Sequence, residues 1–178
     1  MYRFFAAYSV PKNILFLLGV VLLFRFVLFP GLLPEAEMLD MRLFYTAEEA
    51  YEIIDDYRAD VRRGFIVSAL TLDLIFPFAY SFFFSFLTFF LFKKTLPALF
   101  PFSAMFFDYL ENAGIVILLT QYPQKIMFLA TLTGIFTALK WILLVCTMII
   151  LTAGCVRKIF VTLYSSPNEN AIGKNSKK

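Results

Sequence analysis

Four apolar runs divide this chain, at about 13–30, 64–92, 98–120 and 126–155. Each is near or above the roughly 20 residues needed to cross a hydrocarbon core as a helix. The stretch between the first two runs follows another rule. "TAEE" at 46–49 is a capping box, with Thr46 covering a helix start and Glu49 reaching back. Ala50, Tyr51, Ile54, Tyr57 and Val61 then recur at three- and four-residue steps, an apolar stripe on a charged helix over 46–63. Such a helix lies in the interface or over the mouth of a bundle. Gly64 is expected to allow a bend into the second span. The Phe-rich "FFFSFLTFF" at 82–90 is expected to face lipid. The pattern predicts an all-α integral membrane four-helix bundle with an amphipathic helical, extracytoplasmic connection between spans one and two. Residues 1–160 form its single domain, and the polar, unpatterned 161–178 is expected to be a disordered cytoplasmic tail.

Composition narrows the class. Hydrophobic residues make up 61% of the chain, 24 of them Phe, and mean hydropathy is +0.78. Only 16% of residues are charged, against roughly a quarter in soluble domains. The first run resembles a signal peptide in length, but Arg25 interrupts its end, Pro30-Gly31 follows and no small-x-small cleavage site is present. It reads as a retained anchor. The absence of His argues against bis-His haem and zinc catalysis, and the two Cys form no CxxC, which removes four-helix thiol oxidoreductases. No metal site is expected, and no cofactor is indicated.

Charge distribution sets the orientation. Arg3 and Lys12, Lys93 and Lys94, and the tail's Arg157, Lys158, Lys174, Lys177 and Lys178 fall on one side of four spans. The positive-inside rule makes that side cytoplasmic, so N-in and C-in is expected, in the inner (plasma) membrane of a bacterium. The connection over 31–63 has four Arg but nine acids. Basic residues at the membrane edge are explained by topology and anionic lipid, so no nucleic-acid partner is expected.

Ionisable residues within the runs are the candidate chemistry, since such groups are costly in lipid and normally face protein or a wet cavity. In "DLIFPFAY", Asp73, Pro77 and Tyr80 share one helix face, and Pro77 deprives the Asp73 carbonyl of its helical N–H. In "FDYLENAG", Asp108, Glu111 and Asn112 cluster at i, i+3 and i+4. Thr133, Thr137, Lys140 and Thr147 form a polar stripe around one ammonium. At 1.5 Å per residue, Asp73 and Glu111 each lie about 14 Å from their outer ends, Lys140 roughly 21 Å along and Arg25 about 8 Å. These levels overlap in the outer half of the bilayer, so one internal site opening outward is expected. Arg25 and Lys140 supply two positive charges there, and Asp73, Asp108 and Glu111 three negative ones. The leftover acid must be protonated, meet a bound cation, or be met by Arg62 or Arg63.

These motifs, "LDMRLFYTAEEAYEIIDDYRADVRRGF", "DLIFPFAY" and "FDYLEN" followed by a Thr-rich span with one Lys, resemble a family of small four-span bacterial membrane proteins. The likeness covers about 38–142 and rests on D-x-x-x-P-x-x-Y and D-x-x-E-N elements. It implies roles for Asp40, Arg42, Tyr51, Arg63, Asp73, Tyr80, Asp108, Glu111, Asn112 and Lys140, but no activity. The family pattern has Gly-Arg before the second span; here Arg63-Gly64 is reversed, which leaves Arg62 or Arg63 for that role.

Three functions fit. In the first, the site binds a small polar ligand or membrane lipid headgroup, with Glu111 or Asp108 as acid/base, Lys140 as electrostatic partner, Asp73 and Asn112 orienting, and Asp40 and Arg42 on the lid. In the second, a proton- or cation-coupled carrier uses the leftover acid; four spans are few for that, so a homodimer would be expected. In the third, the ion pairs only specify helix packing in an assembly subunit.

Overall fold

The computed structural model describes residues 1–164. Six α-helices follow one another: α1 (Tyr2–Tyr8), α2 (Pro11–Leu32), α3 (Ala47–Asp56), α4 (Ala59–Phe92), α5 (Thr95–Gln121) and α6 (Met127–Tyr164). The fold is all-α. Its helices α2, α4, α5 and α6 are long and apolar enough to cross a membrane. The expected tail lies outside the described residues, except for 161–164, which continue α6.

Local chemistry explains the boundaries. Pro11 opens α2, where its missing N–H is not needed. Near the other end, Phe24–Leu28 widens into a π turn. Pro30 follows within the same helix; a proline ring clashes with the carbonyl four residues before it and offers it no N–H, which favours such widening. The capping box forms as the sequence predicts: the Glu49 N–H donates to Thr46 Oγ1, and the Thr46 N–H donates to the Glu49 carboxylate at 2.7 Å.

The predicted 46–63 helix is broken. α3 stops at Asp56, Tyr57 and Arg58 are extended, and α4 starts at Ala59. The bend therefore falls at 57–58, and Gly64 lies inside the regular helix α4. Gly64 instead gives room to Pro34, whose Cγ would lie 2.6 Å from any Cβ at position 64.

α4, α5 and α6 pack closely on one another, while α2 lies mainly against α4. Two glycines permit the tightest approaches. A Cβ on Gly114 of α5 would meet Thr133 Oγ1 of α6 at 2.2 Å, and one on Gly134 would meet the Tyr45 carbonyl oxygen at 2.2 Å. Both contacts recur where small residues let membrane helices and their connections come close.

One end of the bundle holds α1, the Lys93–Lys94 connection and the end of α6. Phe5 stacks on Phe89, and Lys158 lies over the Phe90 ring. The other end carries the 33–58 connection, whose apolar residues Tyr45, Ala50, Tyr51 and Ile54 pack with Ile115, Leu118 and Ala130. It is tied to the α5–α6 connection: Lys125 pairs with Asp55 at 2.6 Å, and the Ile126 N–H donates to Tyr51 Oη at 2.5 Å.

Polar and apolar residues are inverted relative to a water-soluble protein. Glu111, Asn112, Thr133, Thr137, Lys140 and Thr147 are buried, whereas Leu15, Phe16, Leu70, Phe78, Phe128 and Ile149 are exposed. A surface of that kind suits lipid, where polar groups must find partners inside the protein. The Phe-rich 82–90 departs from expectation. None of its side chains is exposed, and Phe83, Phe86 and Phe89 are buried. The small Ser85 and Thr88 let this face of α4 pack tightly, and Phe5 of α1 and Phe102 of α5 cover it through ring contacts.

Candidate functional site

The polar residues of the long apolar helices converge. Glu111 of α5 and Lys140 of α6 form an ion pair at 2.5 Å, and Glu111 is wholly buried. Thr137, one turn before Lys140, donates its hydroxyl to the other Glu111 oxygen at 2.8 Å. The i, i+3 spacing of Thr137 and Lys140 places both on one face of α6 towards the carboxylate. Lys140 also lies 3.9 Å from Asp108 and donates to the Asp40 backbone carbonyl at 3.3 Å. The ammonium thus ties α5, α6 and the connection together.

Asp108 is satisfied from a second direction. Tyr80 of α4 donates to its Oδ2 at 2.8 Å, and Asn112 to its Oδ1 at 3.4 Å. The Asn112 amide also donates to the Asp73 carbonyl at 3.2 Å, the acceptor that Pro77 strands. One position further, the Leu74 carbonyl accepts from the Tyr109 hydroxyl at 2.9 Å. The proline thus opens α4 and the polar residues of α5 fill the opening.

Asp73 differs from these acids. Among the described residues, its carboxylate accepts one hydrogen bond, from Ser68 at 3.0 Å on its own helix, and has no ion pair. Asp40 sits on a short 3₁₀ turn, Leu39–Met41, at the same level. Burial pushes the Asp40 carboxyl above its ordinary value, while the nearby Lys140 charge pulls the other way.

These groups open onto a cavity of about 370 Å³ between α2 and α6, over the face of α4. Asp40, Asp73, Tyr80, Asp108 and Lys140 line it, with Arg25 on the α2 wall. Arg25 belongs to the π turn, is exposed, and forms no ion pair or hydrogen bond among the described residues. Phe29, Phe76, Pro77, Phe84 and Leu144 supply apolar walls. Glu111 does not reach the cavity. A second, apolar groove of about 690 Å³ runs along α6 past Val145, Ile149 and Val156, and shares Phe84, Trp141 and Leu144 with the first.

The other candidates lie elsewhere. Arg42 pairs with Glu37 at 2.7 Å in the connection, Tyr51 is in the apolar contact under α3, and Arg63 is exposed near the start of α4. Arg62 donates to the Tyr57 carbonyl and lies over the Tyr122 ring at 4.3 Å, so neither Arg62 nor Arg63 meets a buried acid. Asp40 raises the number of acids around the site to four. Sequence reasoning did not single out Ser68 or Trp141. Ser68 carries no pattern, whereas Trp141 could have been noticed as the chain's one Trp, adjacent to the mid-span Lys140. Among the described residues, no three His, Cys, Asp or Glu side chains are grouped to hold a metal ion.

No family model, curated protein or solved structure matches this chain. The functional reading therefore rests on the site itself.

Proposed function

We propose that this is a four-span membrane protein that binds the polar head of an amphiphile in the cleft between α2 and α6. The observation that carries this reading is the adjacency of two unlike cavities that share three wall residues. The acid- and cation-lined one shares Phe84, Trp141 and Leu144 with an apolar groove that follows α6 from Trp141 to Val156. A soluble polar ligand has no use for the groove, and an acyl chain alone has no use for the charges. Ligand sites pair apolar walls with a few convergent polar groups in this way.

The Lys- and Arg-rich end, with α1 and Lys93–Lys94, would be cytoplasmic, which puts the charged cavity in the outer leaflet half beneath the acidic connection. A separate observation favours a packing role for part of the cluster. Glu111 and Thr137 are sealed away, and the bonds of the Glu111 carboxylate with Thr137 and Lys140 hold α5 to α6. In this reading Lys140 also presents its charge to the cleft, and Asp73, Asp108 and Arg25 contact the ligand.

Native mass spectrometry of protein extracted from its membrane tests the proposal. The wild type should retain lipid, and Leu144→Trp, which blocks the junction of cavity and groove, should lose it while melting normally. Equal lipid retention by the two would refute the reading.

A further inference from the structure

The cavity carries opposite charges on different walls, Arg25 on α2 and Asp73 on α4, which form no ion pair with one another among the described residues. The Asp73 carboxylate accepts from Ser68 and has no ion pair among the described residues, and Lys140, though near Asp40, bonds its backbone carbonyl rather than its carboxylate. Arg25 lies on the α2 wall and forms no ion pair or hydrogen bond among the described residues. At low dielectric, an arginine and a carboxylate that merely specified packing would gain most by direct contact. Here Arg25 and the acids line one cavity of about 370 Å³ without an ion pair between them among the described residues. A cavity with acids and an unpaired arginine set apart on its walls complements a zwitterion.

We propose that the ligand is a phospholipid bearing a primary ammonium, its ammonium set against Asp73 and Asp40 and its phosphodiester against Arg25. This rests on the amphiphile reading above and specifies its class. The ammonium must be primary because the free lone pairs of Asp73 and Asp40 call for N–H donors, which a quaternary ammonium lacks. Arg25 suits a phosphodiester, for which guanidinium offers paired donors. A purely anionic headgroup would satisfy Arg25 but set its remaining surface against the three carboxylates that line the cavity, Asp40, Asp73 and Asp108. The acyl chain would leave along Trp141 and Leu144 into the α6 groove.

The experiment reconstitutes the full chain in bilayers containing equal phosphatidylethanolamine, phosphatidylcholine and phosphatidylglycerol of matched chains. Lipid retained on release is then measured by native mass spectrometry. The expected result is a preference of about tenfold for the ethanolamine lipid, the ratio given by one well-made hydrogen bond's difference in binding free energy. Asp73→Asn should remove that preference, and Arg25→Gln should weaken both ethanolamine and choline lipids. If Asp73→Asn melts too early to assay, Asp40→Asn on the connection tests the same ammonium contact. Equal retention of all three lipids, or a preference for phosphatidylglycerol, would overturn the class while leaving the amphiphile site in place. Retention of no lipid by the wild type would overturn both. Soluble glycerophosphoethanolamine is the control for source: a melting shift as large as the lipid's would overturn the assignment to a membrane ligand.

Discussion

The Asn112 side-chain amide donates to the Asp73 carbonyl at 3.2 Å, across the interface between α5 and α4. Pro77 leaves that carbonyl without a helical N–H, so the bond replaces one the helix cannot make. Inside a membrane no water is present to take its place. Asn112→Leu should therefore destabilise the protein by about 1 kcal/mol, the scale of interhelical hydrogen bonds in lipid. Pro77→Ala restores the helical donor, and in that background Asn112→Leu should cost less. Unfolding in mixed micelles measures the cycle; equal costs in the two backgrounds would refute the compensation.

The Glu111–Lys140 pair gives a second test. Removing one partner leaves a buried charge unmatched, which costs about 3–5 kcal/mol in buried pairs. Lys140→Met should sharply lower the melting temperature in detergent, and Glu111→Gln should do so less, because the Gln can still accept from Thr137. The double variant should be more stable than Lys140→Met alone. Additive losses would show that the two side chains act independently.

Docking of the connection depends on Gly134. The Tyr45 carbonyl lies where a Cβ would be, and it belongs to backbone that cannot swing aside as a flexible side chain can. Gly134→Ala should destabilise by about 1–3 kcal/mol, the usual range for overpacking. Protease cleavage within 33–58 should rise with it. Unchanged cleavage would mean that the connection is held elsewhere, for example through Lys125 and Asp55.

Two acids outside the spans should show opposite pH dependence. The Lys125 hydrogen bond holds the Asp55 carboxyl below its ordinary value of 3.8, despite some opposition from burial. A lowered folded pKa gives stability that is present above 3.8 and lost as pH falls through the folded value. Burial raises the Asp40 carboxyl above 3.8, so its contribution is present below that pH and lost as pH rises through the folded value. Melting curves from acid to neutral pH, read as differences from Asp55→Asn and from Asp40→Asn, should therefore slope in opposite directions. High salt should flatten the Asp55 difference, because that pair is exposed.

Much of this architecture was already present in one-dimensional pattern. Apolar run length determined four helices able to cross a bilayer, because each must satisfy its backbone internally over a known thickness. Helical spacing placed Asp108 with Asn112, and Thr137 with Lys140, since i, i+3 and i+4 positions share a face whatever surrounds them. Thr46 and Glu49 marked the start of α3 for a similar local reason. Only the tertiary structure decided which polar groups answer which. Lys140 takes Glu111 and leaves Asp73 and Arg25 on different walls of one cavity, and Phe5 covers the Phe-rich face of α4 that composition alone would have turned to lipid. Those choices follow from how separate helices rotate and approach, set by contacts such as Gly114 on Thr133 and Gly134 on Tyr45. No periodicity within a single helix carries that information.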